Sequence, residues 1–140
     1  MAQPNTQPIF PKTPRIWLPG AALLTAKTAM DGTGTVLTVV TAEATVGSRV
    51  DYLKVRAIGT NVATVLRVFI NNGSTNATAG NNSLFMERTL AAVTASAVAE
   101  TADVYIPLDI SLPAGYKILC TVGTTVANGV MVTGVGGDYV

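Results

Sequence analysis

Histidine is absent from the 140 residues, and Cys120 is the one cysteine. That removes the Ser-His and Cys-His nucleophile pairs and the commonest ligand for zinc, copper and non-haem iron. Cys120 has no basic neighbour in sequence, no CxxC accompanies it, and it stands in the apolar run Ile118 to Val122. A reduced thiol packed in a core is expected there. Acid–base chemistry is left with eight carboxylates: Asp31, Glu43, Asp51, Glu87, Glu100, Asp103, Asp109 and Asp138. Two of them at a set separation would suffice for a glycosidase, but their places in turns and at strand ends suit solvated or capping roles. Asp31-Gly32-Thr33-Gly34 has the letters of an aspartic-protease motif in another order and without a second copy, so it reads as a tight turn. No EF-hand spacing surrounds Asp31 or Asp138, and Gly134-Val135-Gly136-Gly137 lacks the Lys and Ser/Thr of a phosphate-binding loop. The expectation is a protein with no catalytic residues, no metal and no cofactor.

Recognition chemistry is better represented. Arg49 to Asn71 contains two β-type runs, and one outward set in it, Tyr52, Lys54, Arg56, Arg67 and Phe69, mixes cations with aromatics. Such mixtures are enriched at protein interfaces and can also stack on bases or sugars. The alternative is a covered second face, with the aromatics packed under the N-terminal segment and the cations at its rim. Ile9, Phe10, Ile16, Trp17 and Leu18 are the apolar groups that could anchor the proline-rich segment before it. The positions expected to touch a partner are therefore Phe10, Trp17, Tyr52, Arg56, Arg67 and Phe69.

The elements that must hold these side chains follow from pattern. Residues 1–20 carry five of the seven prolines, which permits neither a helix nor a central strand. An extended arm is expected there, lying on its own domain or reaching a neighbour, and removable up to residue 19 with the fold intact. Residues 21–140 read as one domain, long enough to bury a sizeable core. Thr35 to Thr41, Val50 to Ile58, Val62 to Ile70, Leu84 to Leu90, Val104 to Ile110, Tyr116 to Val122 and Gly129 to Val135 are rich in β-branched or alternating apolar residues and read as strands. Gly59-Thr60-Asn61 suggests a hairpin between the second and third of these, with Leu53 opposite Val68 and Val55 opposite Leu66. Pro107 cannot donate a ladder hydrogen bond, so its strand should be an edge or carry a bulge. Asn71 to Asn82 reads as an exposed loop and Ala91 to Ala102 as an irregular crossover. The sum is all-β, an antiparallel β-sandwich of seven or eight strands, jelly-roll or immunoglobulin-like in topology.

Composition bounds the partners. Charged residues are 12% of the chain against 49% hydrophobic, which suggests strands buried on both faces or a surface covered by other copies. The net charge of +1 is too small for a protein that tracks phosphates, so no direct nucleic-acid partner is expected. No apolar run approaches the ~20 residues of a spanning helix, and MAQPNTQPIF lacks a basic start and an apolar core. Neither membrane insertion nor secretion is expected.

Several stretches together resemble a known group. They are Leu23-Leu24-Thr25-Ala26 through Met30-Asp31-Gly32-Thr33-Gly34, Gly47-Ser48-Arg49-Val50-Asp51-Tyr52, Val65-Leu66-Arg67-Val68-Phe69-Ile70-Asn71-Asn72-Gly73, Ile106-Pro107-Leu108 and Leu112-Pro113-Ala114-Gly115-Tyr116. Spanning most of residues 21–139, they look like the jelly-roll cement or decoration proteins of tailed bacteriophages. The resemblance implies a jelly-roll fold and a location on the outer capsid surface of the virion after synthesis in the host bacterial cytoplasm. It implies the major capsid protein as partner, and self-association as a dimer or trimer. On that reading Phe10 and Trp17 would be anchors and Arg56 and Arg67 interface cations. A receptor- or carbohydrate-binding β-sandwich of a phage tail or fibre would share the fold and remains the alternative.

Overall fold

The computed structural model describes residues 10–140. Eight strands fold in the order β1 (Thr13–Trp17), β2 (Leu37–Thr41), β3 (Ser48–Ala57), β4 (Thr64–Asn71), β5 (Asn82–Leu90), β6 (Val104–Leu112), β7 (Lys117–Val122) and β8 (Val130–Asp138), with a single 3₁₀ turn at Ala79–Asn81 before β5. They form two four-stranded sheets, β1-β8-β3-β6 and β2-β7-β4-β5, with every neighbouring pair antiparallel. Successive strands change sheet at every step except β4 to β5. This is a jelly-roll sandwich, eight strands in two interleaved Greek keys.

Each sheet turns one apolar face inward. In β3 the inward set is Val50, Leu53 and Val55; in β4 it is Leu66 and Val68; in β7 it is Ile118, Cys120 and Val122, all at most 1% exposed. Burying each such side chain contributes roughly 1.5–3 kcal/mol, so a strand turned over would expose its whole stripe. β6 alternates as its sequence predicts, with Val104, Ile106, Leu108 and Ile110 toward the core and Tyr105, Pro107 and Asp109 away from it. It is also an edge strand, and its register against β3 shifts between the Val50–Ile110 and Tyr52–Pro107 pairs. Asp109 takes φ 50 inside that irregularity, so both features expected of Pro107 occur.

The expected hairpin between β3 and β4 does not form. The division of each strand into two faces holds, but Leu53 lies opposite Ile106 and Gly134, and Val68 opposite Met86 and Cys120. The two strands sit in different sheets and meet across the core. Gly59-Thr60-Asn61 is not a free turn. Asn61 is 5% exposed, donates from Nδ2 to Gly129 O at 2.7 Å and accepts from Asn128 N at 2.8 Å. A Cβ on Gly59 would stand 2.5 Å from Asn128 Cβ. The crossover is thus stitched to the loop before β8, and the one true hairpin joins β4 to β5.

The N-terminal segment also needs correction. Residues 1–9 of the expected arm lie outside the described residues, but Thr13–Trp17 is an edge strand of the first sheet, paired from Thr13–Asp138 to Trp17–Gly134. Pro14 is tolerated because this strand has a free edge. The boundary at residue 20 therefore cuts off a strand of the sandwich, and removal of residues 1–19 would uncover β8. Trp17 is 8% exposed and belongs to the core cluster. Gly134 makes room for it: a Cβ there would stand 3.3 Å from the indole Cε3 and 2.8 Å from Val40 Cγ2. Replacing Trp17 with Ala should lower the unfolding free energy of the isolated protein by about 3 kcal/mol, seen as a reduced denaturant midpoint. An unchanged midpoint would contradict its place in the core.

Candidate functional site

The six residues chosen from sequence separate into three places. Tyr52 and Arg56 lie on the outer face of the first sheet, Arg67 and Phe69 on the outer side of the second, and Phe10 and Trp17 in the segment that forms the N-terminal edge of the first sheet. Two of the six are inside their own domain. Trp17 is core, and Phe69 is 0% exposed, although it points away from the inter-sheet cluster. With β3 and β4 in different sheets, the idea of one cationic, aromatic face spanning them does not hold.

On the first sheet, β3 and β6 present a small platform. Tyr52 pairs in register with Pro107 and Lys54 with Tyr105, which brings the two tyrosine rings together at 4.8 Å between centroids and 45° between planes. Tyr105 is 58% exposed and belongs to the platform, though sequence reasoning placed it only as an outward residue of β6. Cations border the rings, each already matched. Lys54 Nζ lies 2.8 Å from Asp103 Oδ2, Arg56 adds Asp103 at 3.9 Å and Thr101 O at 3.2 Å, and Arg49 holds Asp51 at 2.8 Å and Asp109 at 3.4 Å. The platform is aromatic and internally neutralised, a surface for stacking and hydrogen bonding more than for capturing phosphate.

Arg67 has a different task. Its side chain is 14% exposed, Nε lies 2.9 Å from Glu87 Oε1 and Nη1 donates to Lys27 O at 2.8 Å. It ties the segment before β2 to the outer face of the second sheet and is not a free interface cation.

The carboxylates are similarly engaged. Asp31 accepts from Thr33 N and Oγ1 in the turn expected there, which holds its carboxyl below the ordinary range. Glu43 accepts from Val46 N and Thr45 N, with the same effect. Asp138 is 6% exposed, takes a hydrogen bond from Ser48 Oγ and lies 3.3 Å from Arg15 Nε, locking β1, β3 and β8 together at one end. Burial pushes the Cys120 thiol up to about 12, so it is a core side chain and a poor nucleophile. No group of three His, Cys, Asp or Glu among the described residues could hold a metal. No helix among them is long and apolar enough to cross a membrane.

Three strongly exposed apolar side chains stand at the N-terminal edge. Within residues 10–18, Phe10 is 68% exposed, Ile16 67% and Leu18 77%, while Trp17 between the last two is buried. Within β1, Trp17 therefore grips the core while Ile16 is held out on the other face, and Phe10 and Leu18 flank the strand.

The Lys54 hydrogen bond, with the attraction of Lys54 and Arg56, draws the Asp103 carboxyl below its ordinary 3.8. A depressed folded value means that this tether is fully present above pH 3.8 and is lost as pH falls through the lower folded value. NMR titration of Asp103 should give a midpoint under 3.8 that rises in Lys54→Met; an unmoved midpoint would refute the pairing.

Compared with known proteins, the chain matches no family model, no curated protein and no solved structure.

Proposed function

We propose that this chain is a viral structural protein that binds the outside of a phage capsid and stabilises contacts between major capsid protein subunits. The observation that carries the reading is the N-terminal edge segment, where Phe10, Ile16 and Leu18 are exposed along a segment held in place by buried Trp17. Ile16, displayed from a paired strand, loses little entropy on docking, which is what a protein working through buried area needs. Pro11, Pro14 and Lys12 blunt the same edge against uncontrolled strand pairing, so the side chains, not the backbone, carry the contact. The jelly-roll order and the resemblance of residues 21–139 to cement proteins point the same way. Each copy need add only a few kcal/mol when many bind one lattice. Self-association as a dimer or trimer belongs to the same proposal.

The test is the composition of purified virions of the encoding phage. Mass spectrometry should find the chain in intact particles, and Phe10→Ser, Ile16→Lys and Leu18→Ser should each reduce its occupancy on shells at least severalfold without changing its melting temperature. Absence from intact particles would end the cement reading; full occupancy by all three variants would exclude this edge as the docking surface.

The tyrosine platform favours the second reading, a receptor- or carbohydrate-binding sandwich of a phage tail or fibre. Tyr52 and Tyr105 side by side, bordered by Lys54 and Asp103, suit the stacking and hydrogen bonding that sugars require. A glycan array should then give a specific hit that Tyr105→Ala abolishes, and a blank array would remove this reading.

A further inference from the structure

Two four-stranded sheets leave four edge strands, β1 and β6 on the first and β2 and β5 on the second. A free edge offers unpaired N–H and C=O groups to any other extended chain, and proteins that stay discrete block it. Three of the four edges are blocked in evident ways. β1 carries Pro14 behind Pro11 and Lys12, β6 carries Pro107 and the irregularity at Asp109, and β2 is five residues long with a bulge between Thr38 and Val40.

β5 has none of these protections over its second half. Its register against β4 slips once, between the Val68–Met86 and Phe69–Leu84 pairs, which leaves Phe85 as an extra residue; Met86 to Leu90 then run opposite Val68 to Thr64 without a break. No proline stands in the strand, and among the described residues no turn or loop backbone covers Met86 to Leu90. Arg88 is the centre of that regular stretch. It lies opposite Leu66, which is 0% exposed, and its neighbours on the same face are Leu90 of the core cluster and Met86 packed against it. The inward face of an edge strand therefore carries a cation. Arg88 is half-buried and forms no ion pair with any described carboxylate. An unpaired charge on an apolar face is costly, so the stem lies along the apolar rim and the guanidinium stays in water at the open side of the sandwich.

We propose that Arg88 guards the β5 edge against pairing with a second copy of this chain. A strand laid along Met86 to Leu90 would shut water away from the guanidinium and bring no carboxylate to it, because Glu87 is turned to the opposite face and lies 2.9 Å from Arg67 Nε. The antiparallel register that pairs the whole stretch with itself sets Arg88 opposite the same residue of the second copy, and like charges directly opposite are destabilising. This inference does not depend on the capsid reading, and it leaves contacts made by side chains on other surfaces untouched.

The test is size-exclusion chromatography with light scattering on the full chain over a concentration series, with Arg88→Leu, Arg88→Met and Arg88→Lys beside the wild type. The Leu and Met variants, folded by circular dichroism, should grow beyond the wild-type species at a concentration on the order of tenfold lower than any at which the wild type does. Amide exchange at Met86 to Leu90 should slow in the assemblies, and Arg88→Lys should behave as wild type. Wild-type association in both the Leu and the Met variant would overturn the proposal. So would growth that leaves exchange at Met86 to Leu90 unchanged, or association of Arg88→Lys equal to that of Arg88→Leu.

Discussion

Two apolar sheet faces have to be brought together by a chain that supplies one local hairpin, and that constraint governs the molecule. Among the described residues, apart from β4–β5, no strand pairs with its neighbour in sequence, and β1 pairs with β8 across most of the chain. Loop-closure entropy must be met before such pairings contribute. The locks between distant segments follow from this. Asp138 draws together Arg15 and Ser48, and Asn61 ties the β3–β4 crossover to Gly129 and Asn128. Glycines serve the same closure, since Gly134 leaves the space that Trp17 and Val40 fill, and a Cβ on Gly136 would stand 2.0 Å from Arg49 O.

The sandwich spends its charge on internal connections, and this shapes what its surface can do. Arg15, Arg49, Lys54, Arg56 and Arg67 all meet carboxylates of their own chain. Exposed pairs of this kind add little stability individually, but they neutralise the outer faces and leave apolar and aromatic groups as the distinctive features. Phe10, Ile16 and Leu18 at one edge and the Tyr52–Tyr105 pair on one face offer shape and buried area in place of a strong field. The near-zero net charge fits the same surface character.

The second sheet differs from the first in wearing a coat. Residues 27–36 and 72–81 lie beside it, pinned by Arg67 to Lys27 O and by Asn76 to the carbonyls of Gly32 and Gly34. Phe69 is buried on this side of the sheet, outside the inter-sheet cluster. An irregular covering made largely of turns satisfies its backbone through Asn side chains, which explains the density of asparagines between Asn71 and Asn82.

Sequence alone determined the strands, because the two-residue period of apolar side chains is a local property. Seven of the strands, the inward set of β6, the turn at Asp31 and the irregularity at Pro107 were all legible in it. It could not determine partners. An apolar stripe is equally satisfied by pairing beside a neighbour or by facing it across a core, so β3 and β4 looked like a hairpin and are opposite walls of a sandwich. For the same reason the sequence left burial of Trp17 and Phe69 as one of two alternatives, and Gly134, far along the chain, makes room for the first. The role of Arg88 left no local trace either, since alternation along β5 gives its face but only the tertiary fold makes that strand an edge.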